Sequence, residues 1–226
     1  MKNRVYVRPR FRKLKPNEFL EFRTSLKDAR AINEHGEFVF LRDAEVYQTS
    51  QNFLLGNGIA GFAIKDLEMI SVHKNNKKAA ETAVSHILPK MVRCAFKYGA
   101  VFGDCYGEFL ANYYMKSGFI VVAKINFDAP GEFVPPTWNY EKHGRPDVYL
   151  MMRGVRNVAE LDRLKAKKQI NDFELVKDLV PRFNTYDDAA EFREDLYNQV
   201  KAYAYKNRAI KVKEYLMNYK NNKHNV

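Results

Sequence analysis

Two adjacent tyrosines, Tyr113 and Tyr114, stand just before Lys116-Ser117-Gly118 and the apolar run "FIVVAKINF". A phenol ionises near pH ~10. A tyrosine at a helix end can therefore hand a proton to a basic leaving group, or simply pack its ring. Other side chains with acid–base or nucleophilic capacity are Glu68, His73, Asp104, Cys105 and Glu108. His73 and Glu68 are placed to deprotonate an amine if their strand faces a cleft, while the commoner fate of such a histidine is the surface. Cys105, in "DCYG", has the type of a nucleophile, but a cysteine at a strand end is more often core. Asp104 and Glu108 are each candidates for a base or for the cap of a helix after Gly107. With two cysteines, Cys94 and Cys105, and five scattered histidines, there is neither a disulfide framework nor metal-ligand spacing, and no metal site is expected.

The 226 residues are 46% hydrophobic and 14% aromatic, enough to bury a core, and the net charge is +11. No run approaches the ~18 apolar residues of a membrane span. Met1 to Lys15 is basic without the apolar block of a secretion signal. A soluble, cytoplasmic protein with no membrane partner is expected. The positive balance points to an anionic partner: nucleic acid, an acidic protein or a phosphorylated cofactor. Ten Lys/Arg against three acids in residues 1–30 make either a basic arm or a solvated edge strand.

The elements that must position these groups follow from periodicity and turn chemistry. "VYVRPRFRKL" reads as an edge strand, since Pro9 interrupts it. "PNEFLEFRTSLKDARAI" reads as a helix with Phe19, Leu20, Phe22 and Leu26 on one face. "EFVFLRD" reads as a short strand. "NFLLGNG", "IAGFAIKD" and "LEMISVHK" read as an antiparallel meander turning at Gly56-Asn57-Gly58 and at Lys-Asp. Residues 75–100 read as a helix in which Pro89 forces a kink or a new turn. Then come a buried strand in "AVFGDCYG", a helix in "EFLANYYMKSGF", a long strand, a Pro-rich excursion to residue 146 and a last strand, "DVYLMMRG". The order argues an α/β or α+β sheet domain over residues 1–153. Residues 154–226 read as a basic helical C-terminal extension in two blocks separated near Pro181, the second capped by Thr185-Tyr186-Asp187-Asp188.

The segment from Leu67 to Phe127, with "LEMISVHKN", "AVFGDCYG" and above all "YYMKSGF", resembles the core of the Gcn5-related N-acetyltransferase (GNAT) family. "DCYGEFLANYYMKSGFIVVAKINFDAP" with "RPDVYLM" downstream is similar, more narrowly, to GNAT-like proteins of bacteriophages and mobile elements. The resemblance implies a GNAT-like mixed, mostly antiparallel central sheet flanked by helices. It also implies an N-acyltransferase that moves acetyl from acetyl-CoA to an amine. In the family motif Y-x-K-x-G-F the tyrosine protonates the leaving thiolate; the matching residue is Tyr114, and Tyr113 is expected to pack. The family's pyrophosphate loop, Q/R-x-x-G-x-G/A, counted from Val72, falls on Lys77, Ala80 and Thr82. The basic residue is kept, joined by Lys78, but both glycine positions carry side chains, and Gly107 replaces the asparagine common at the next helix. These departures motivate a second reading, a degenerate non-catalytic module that binds nucleic acid or a host protein.

Two further features are candidates for binding. Lys201, Lys206, Arg208, Lys211, Lys213, Lys220 and Lys223 interleave with Tyr203, Tyr205, Tyr215 and Tyr219, a pattern that suits phosphate contacts with base stacking, or an ordinary amphipathic helix. Trp138, with Tyr140 and His143, is either a lid over a site or an anchor for its loop.

Overall fold

The computed structural model describes residues 10–82, 86–128, 134, 137–154, 177–203 and 205–223. The first expected C-terminal helical block lies almost wholly outside them. The chain forms a mixed α/β structure with an eight-stranded, mostly antiparallel sheet flanked by helices, in the order β1-β2-β3-β4-β5-β7-β6-β8. It divides into two compact units: Met1–Asp66 with Ile70–Ile87, and Leu67–Met69 with Leu88–Val226. The boundary expected at residue 153 falls inside the second.

In the first unit, β1 (Phe11–Lys13) lies at the sheet edge, antiparallel to β2 (Gln51–Leu55). Helix α1 (Phe19–Ile32) buries Phe22, Ser25, Leu26 and Ala29, the i, i+3, i+4, i+7 stripe of a helix with one face on a core. Leu20, expected on that face, points to solvent. A short helix, α2 (Ala44–Gln48), supplies the buried Tyr47. β2 pairs with β3 (Ala60–Lys65), and the turn between them uses Gly56 at φ +55° and Gly58 at φ +75°, a backbone region glycine enters without steric penalty. β4 (Glu68–Lys74) follows a two-residue turn at Asp66 and Leu67, both at positive φ. Helix α3 is only Asn76–Glu81. Leu14, Phe22, Leu26, Tyr47, Leu54, Ala63 and Ile70 form this unit's core.

The strand expected at "EFVFLRD" does not form. Residues Gly36–Phe38 make a 3₁₀ turn closed by Phe38 N–H on the His35 carbonyl and Val39 N–H on the Gly36 carbonyl, and residues 39–43 run without a ladder. Val39 and Leu41 still pack on the core, which accounts for the apolar alternation.

In the second unit, α4 (Ile87–Lys97) holds Pro89 at its third residue, where no intrahelical bond needs the missing N–H. The single helix expected over residues 75–100 is instead two, α3 and α4, with Pro89 in the first turn of the second. β5 (Phe102–Tyr106), α5 (Gly107–Met115) and β6 (Phe119–Ile125) follow as read. After a short α6 (Tyr140–His143), β7 (Val148–Arg153) inserts between β5 and β6, antiparallel to both. The Phe119 ring takes edge contacts from Phe96 of α4 and Tyr114 of α5, so these two helices share one side of the sheet.

The remaining elements are β8 (Arg182–Phe183), parallel to β6, then α7 (Tyr186–Val200) and α8 (Tyr205–Lys223). The second helical block is thus two helices. Leu196, Val200, Val212 and Leu216 from this C-terminal pair join Val101, Phe102, Ile120, Val122 and Met152 in one core cluster. Each fully buried leucine there contributes ~1.5–3 kcal/mol of apolar burial. No described helix is long and apolar enough to cross a membrane.

Candidate functional site

Tyr114 lies in the last turn of α5, its ring buried and set edge-on to Phe119 at 5.7 Å. Burial, then the nearby Cys105 and Asp104, push its ionisation far above the ordinary tyrosine range, so the hydroxyl keeps its proton at any physiological pH. Tyr113, one helical position earlier, does not pack as expected and is 37% exposed. Cys105 is buried, and burial with the adjacent Asp104 lifts its thiol well above the usual value, which removes the thiolate a nucleophile needs. Glu108 sits exposed in the first turn of α5.

Asp104 neither caps α5 nor stands free as a base. Its carboxylate accepts from Arg193 Nη1 at 2.7 Å and from the Tyr186 hydroxyl. Arg193 is 3% exposed, lies 4.6 Å over the Phe102 ring, and has Glu68 at 4.0 Å as a second, longer charge partner. The Arg193 Nε has no hydrogen-bond partner. Burial works against the guanidinium's charge, but Asp104 and then Glu68 more than offset it, so Arg193 stays protonated. Burial first, then Asp104 and Glu68, drive the Tyr186 hydroxyl up. Glu68, its side chain 23% exposed, thus stands at the edge of this ionic group. Sequence reasoning missed Arg193 and Tyr186, although a signal existed: Arg193 occupies an apolar register of α7 between Ala189 and Leu196, on the helix's buried stripe.

In the first unit, His73 is 3% exposed rather than open to a substrate. Its ring bonds Ser25 Oγ at 3.0 Å and the Ser71 carbonyl at 3.1 Å, and stands edge-on to Phe22 at 5.3 Å. Burial lowers its pKa to about 4, so the ring is neutral at neutral pH. Ser71, in mid-strand, is at φ +51°, a left-handed residue that interrupts the pleat. Val72 is half-buried beside it.

The expected pyrophosphate cradle is occupied by the chain's own oxygens. Lys77, Ala80 and Thr82 lie within or at the end of the six-residue helix α3, not in a loop before a helix. Asn75 N–H donates to the Ile59 carbonyl, Asn76 N–H to Asn33 Oδ1, Lys78 N–H to Asn75 Oδ1, Ala79 N–H to the Asn75 carbonyl and Thr82 N–H to the Lys78 carbonyl. Lys78 Nζ donates to the Asn57 carbonyl at 3.0 Å and has Asp28 at 4.0 Å. Lys77 remains exposed. A pyrophosphate needs converging backbone donors, and these residues do not fit it.

The C-terminal cations divide. Arg208, expected to meet phosphate, is buried, lies 5.6 Å over the Tyr197 ring and donates to the Lys201 carbonyl. Lys211 pairs with Glu214 at 2.6 Å, and Lys213 is half-buried. The Lys206 side chain lies outside what the structure describes. Of the two readings open for Tyr215 and Tyr219, stacking on bases or packing within an amphipathic helix, both rings pack on Phe192. Trp138 is buried among Tyr106, Phe127 and His143, and its Nε1 donates to the Gly144 carbonyl, as an anchor does. Among the described residues no group of three or more His, Cys, Asp or Glu could hold a metal ion.

No family model matches the sequence, and no curated protein sequence does. Among solved structures the chain is similar to the apo form of YjaB from Escherichia coli, at 9% identity and a TM-score of 0.43, covering 65% of this chain and 98% of that one. It is similar to the ribosomal-protein-S18-alanine N-acetyltransferase from Escherichia coli at 14% identity and 0.42, covering 64% and 92%. A GCN5-related N-acetyltransferase from Rhodopseudomonas palustris follows at 11% and 0.36, covering 66% and 97%.

Proposed function

We propose that this protein works by binding a partner on a GNAT-like frame and does not use acetyl-CoA through the loop that the family uses. The observation that carries the reading is the start of α3, where the amides of Asn75, Asn76, Lys78 and Ala79 and the Lys78 ammonium already have intramolecular acceptors. Coenzyme A would have to displace those bonds, each worth about 1 kcal/mol, and meet the side chains of Ala80 and Thr82. The net charge of +11 makes a polyanion the partner of choice. The resemblance to bacteriophage and mobile-element proteins belongs to the same reading.

Isothermal titration with acetyl-CoA tests it. No heat is expected at millimolar cofactor; saturable binding that Lys77→Gln weakens would sink the proposal. One observation favours a second reading, N-acyltransferase: Tyr114 is in register with the family's acid and holds its proton. An acetylation assay over a panel of amines, with Tyr114→Phe as the control, separates the two.

A further inference from the structure

Two helices of the second unit carry exposed cations and exposed aromatic rings. The outward side of α4 presents Lys90, Arg93 and Lys97, spaced i, i+3, i+7, all exposed, and the helix has no acidic residue. Those three cations span ~10 Å along the axis at 1.5 Å per residue. Tyr98 continues the row, exposed, with Lys97 Nζ 5.6 Å from its ring centre. On α5, Phe109 is 82% exposed, and Tyr113 follows one turn later at 37%. Their Cβ atoms are ~6 Å apart at that spacing. Lys116 closes the same stripe and Glu108 is the one acid on this helix. Both helices pack against the Phe119 side of the sheet, so the cations and the rings are borne on one side of this unit.

A phenylalanine ring left almost wholly in water loses apolar burial of ~1.5–3 kcal/mol, which asks for an occupant. We propose that the outer faces of α4 and α5 bind single-stranded nucleic acid, with Lys90, Arg93 and Lys97 on phosphates and Phe109 and Tyr113 stacking on unpaired bases. Cations beside aromatic rings are the combination that a single strand uses: the backbone needs charge, and each splayed base offers a flat apolar face. A duplex keeps its bases stacked on one another and leaves Phe109 idle. An acidic polypeptide would answer the charge but offers the rings no planar partner. This surface deepens the binding reading above and rests on it.

The test is fluorescence anisotropy of a labelled oligothymidylate against the full chain across a salt series, with unlabelled duplex and polyglutamate as competitors. Binding should fall steeply with salt, with a slope of about −0.7 per phosphate neutralised. Arg93→Gln with Lys97→Gln should flatten that slope by about 1.4. Phe109→Ala should weaken binding about tenfold with the slope unchanged. Lys211→Gln with Lys213→Gln on α8 should change neither. Arg93, Lys97 and Phe109 are exposed, Lys211 and Lys213 are half-buried, and unchanged thermal melting of each variant confirms folding. No binding at low salt, an Arg93/Lys97 variant with the parental slope, an unaffected Phe109→Ala, or equal competition by polyglutamate or duplex overturns the proposal. Heat with acetyl-CoA would defeat the cofactor-free reading and leave the anisotropy result to judge this surface.

Discussion

Acidification from pH 7 to pH 5 should loosen the core of the first unit, and His73 should account for most of the excess. The neutral ring is bonded to Ser25 and the Ser71 carbonyl, and burial takes its pKa from 6.5 to about 4. The unfolded chain accepts a proton that the folded chain refuses. This contribution to stability is therefore whole above about pH 6.5, declines as the pH falls, and is lost as it passes about 4. Between pH 7 and 5 the two titrations diverge by a factor of ~20, or ~1.8 kcal/mol at 1.36 kcal/mol per tenfold. The sole tryptophan, Trp138, is in the other unit, so the reporter should be amide exchange at Phe53 and Phe62, a stacked pair on β2 and β3. Their protection should drop ~20-fold further in the parent than in His73→Gln, which keeps a polar group but does not titrate. Equal losses in the two proteins would refute the argument and reopen His73 as an accessible base.

Asp104→Asn should destabilise the second unit by about 3 kcal/mol, because it leaves Arg193 buried with Glu68 at 4.0 Å as its remaining charge partner; urea titration followed by Trp138 fluorescence reads the loss. Gly61→Ala should cost ~1–3 kcal/mol, since the new Cβ would stand 2.5 Å from His73 Cε1 and 2.8 Å from Leu54 Cδ2. That penalty should shrink in a His73→Ala background, which a double-mutant cycle measures.

Local chemistry was legible in the sequence where local chemistry decides. The β2–β3–β4 meander follows from Gly56 and Gly58, and α7 from the Thr185 cap, whose hydroxyl does accept from Asp188 N–H. Tyr113 was expected to pack and Tyr114 to act as an acid, yet Tyr114 is the buried ring and Tyr113 the exposed one, because exposure depends on which strand lies beneath a helix. "EFVFLRD" was misread because a strand needs a hydrogen-bonding neighbour, and alternation of Val39 and Leu41 says nothing about one. The Lys77–Thr82 segment shows a subtler limit. Its residues argued against a glycine-rich loop, but only the acceptors contributed by Asn33, Ile59 and Asn57, brought from far along the chain, show that the donors are taken. Arg193 and Arg208 were missed as interior residues because composition counts every arginine as surface charge, although Arg193 stands in the apolar register of α7.

The order β5-β7-β6 has a consequence during synthesis. β6 is made before the strand that separates it from β5, so neither can find its final neighbour on that side until Arg153 has been added, 28 residues after Ile125. At 5–20 residues per second, a ribosome needs roughly 1.5–6 s for that stretch. During that interval two apolar strands present open edges to one another and to other nascent chains. A direct β5–β6 pairing is the natural wrong turn, and β7 must arrive in time to prevent it.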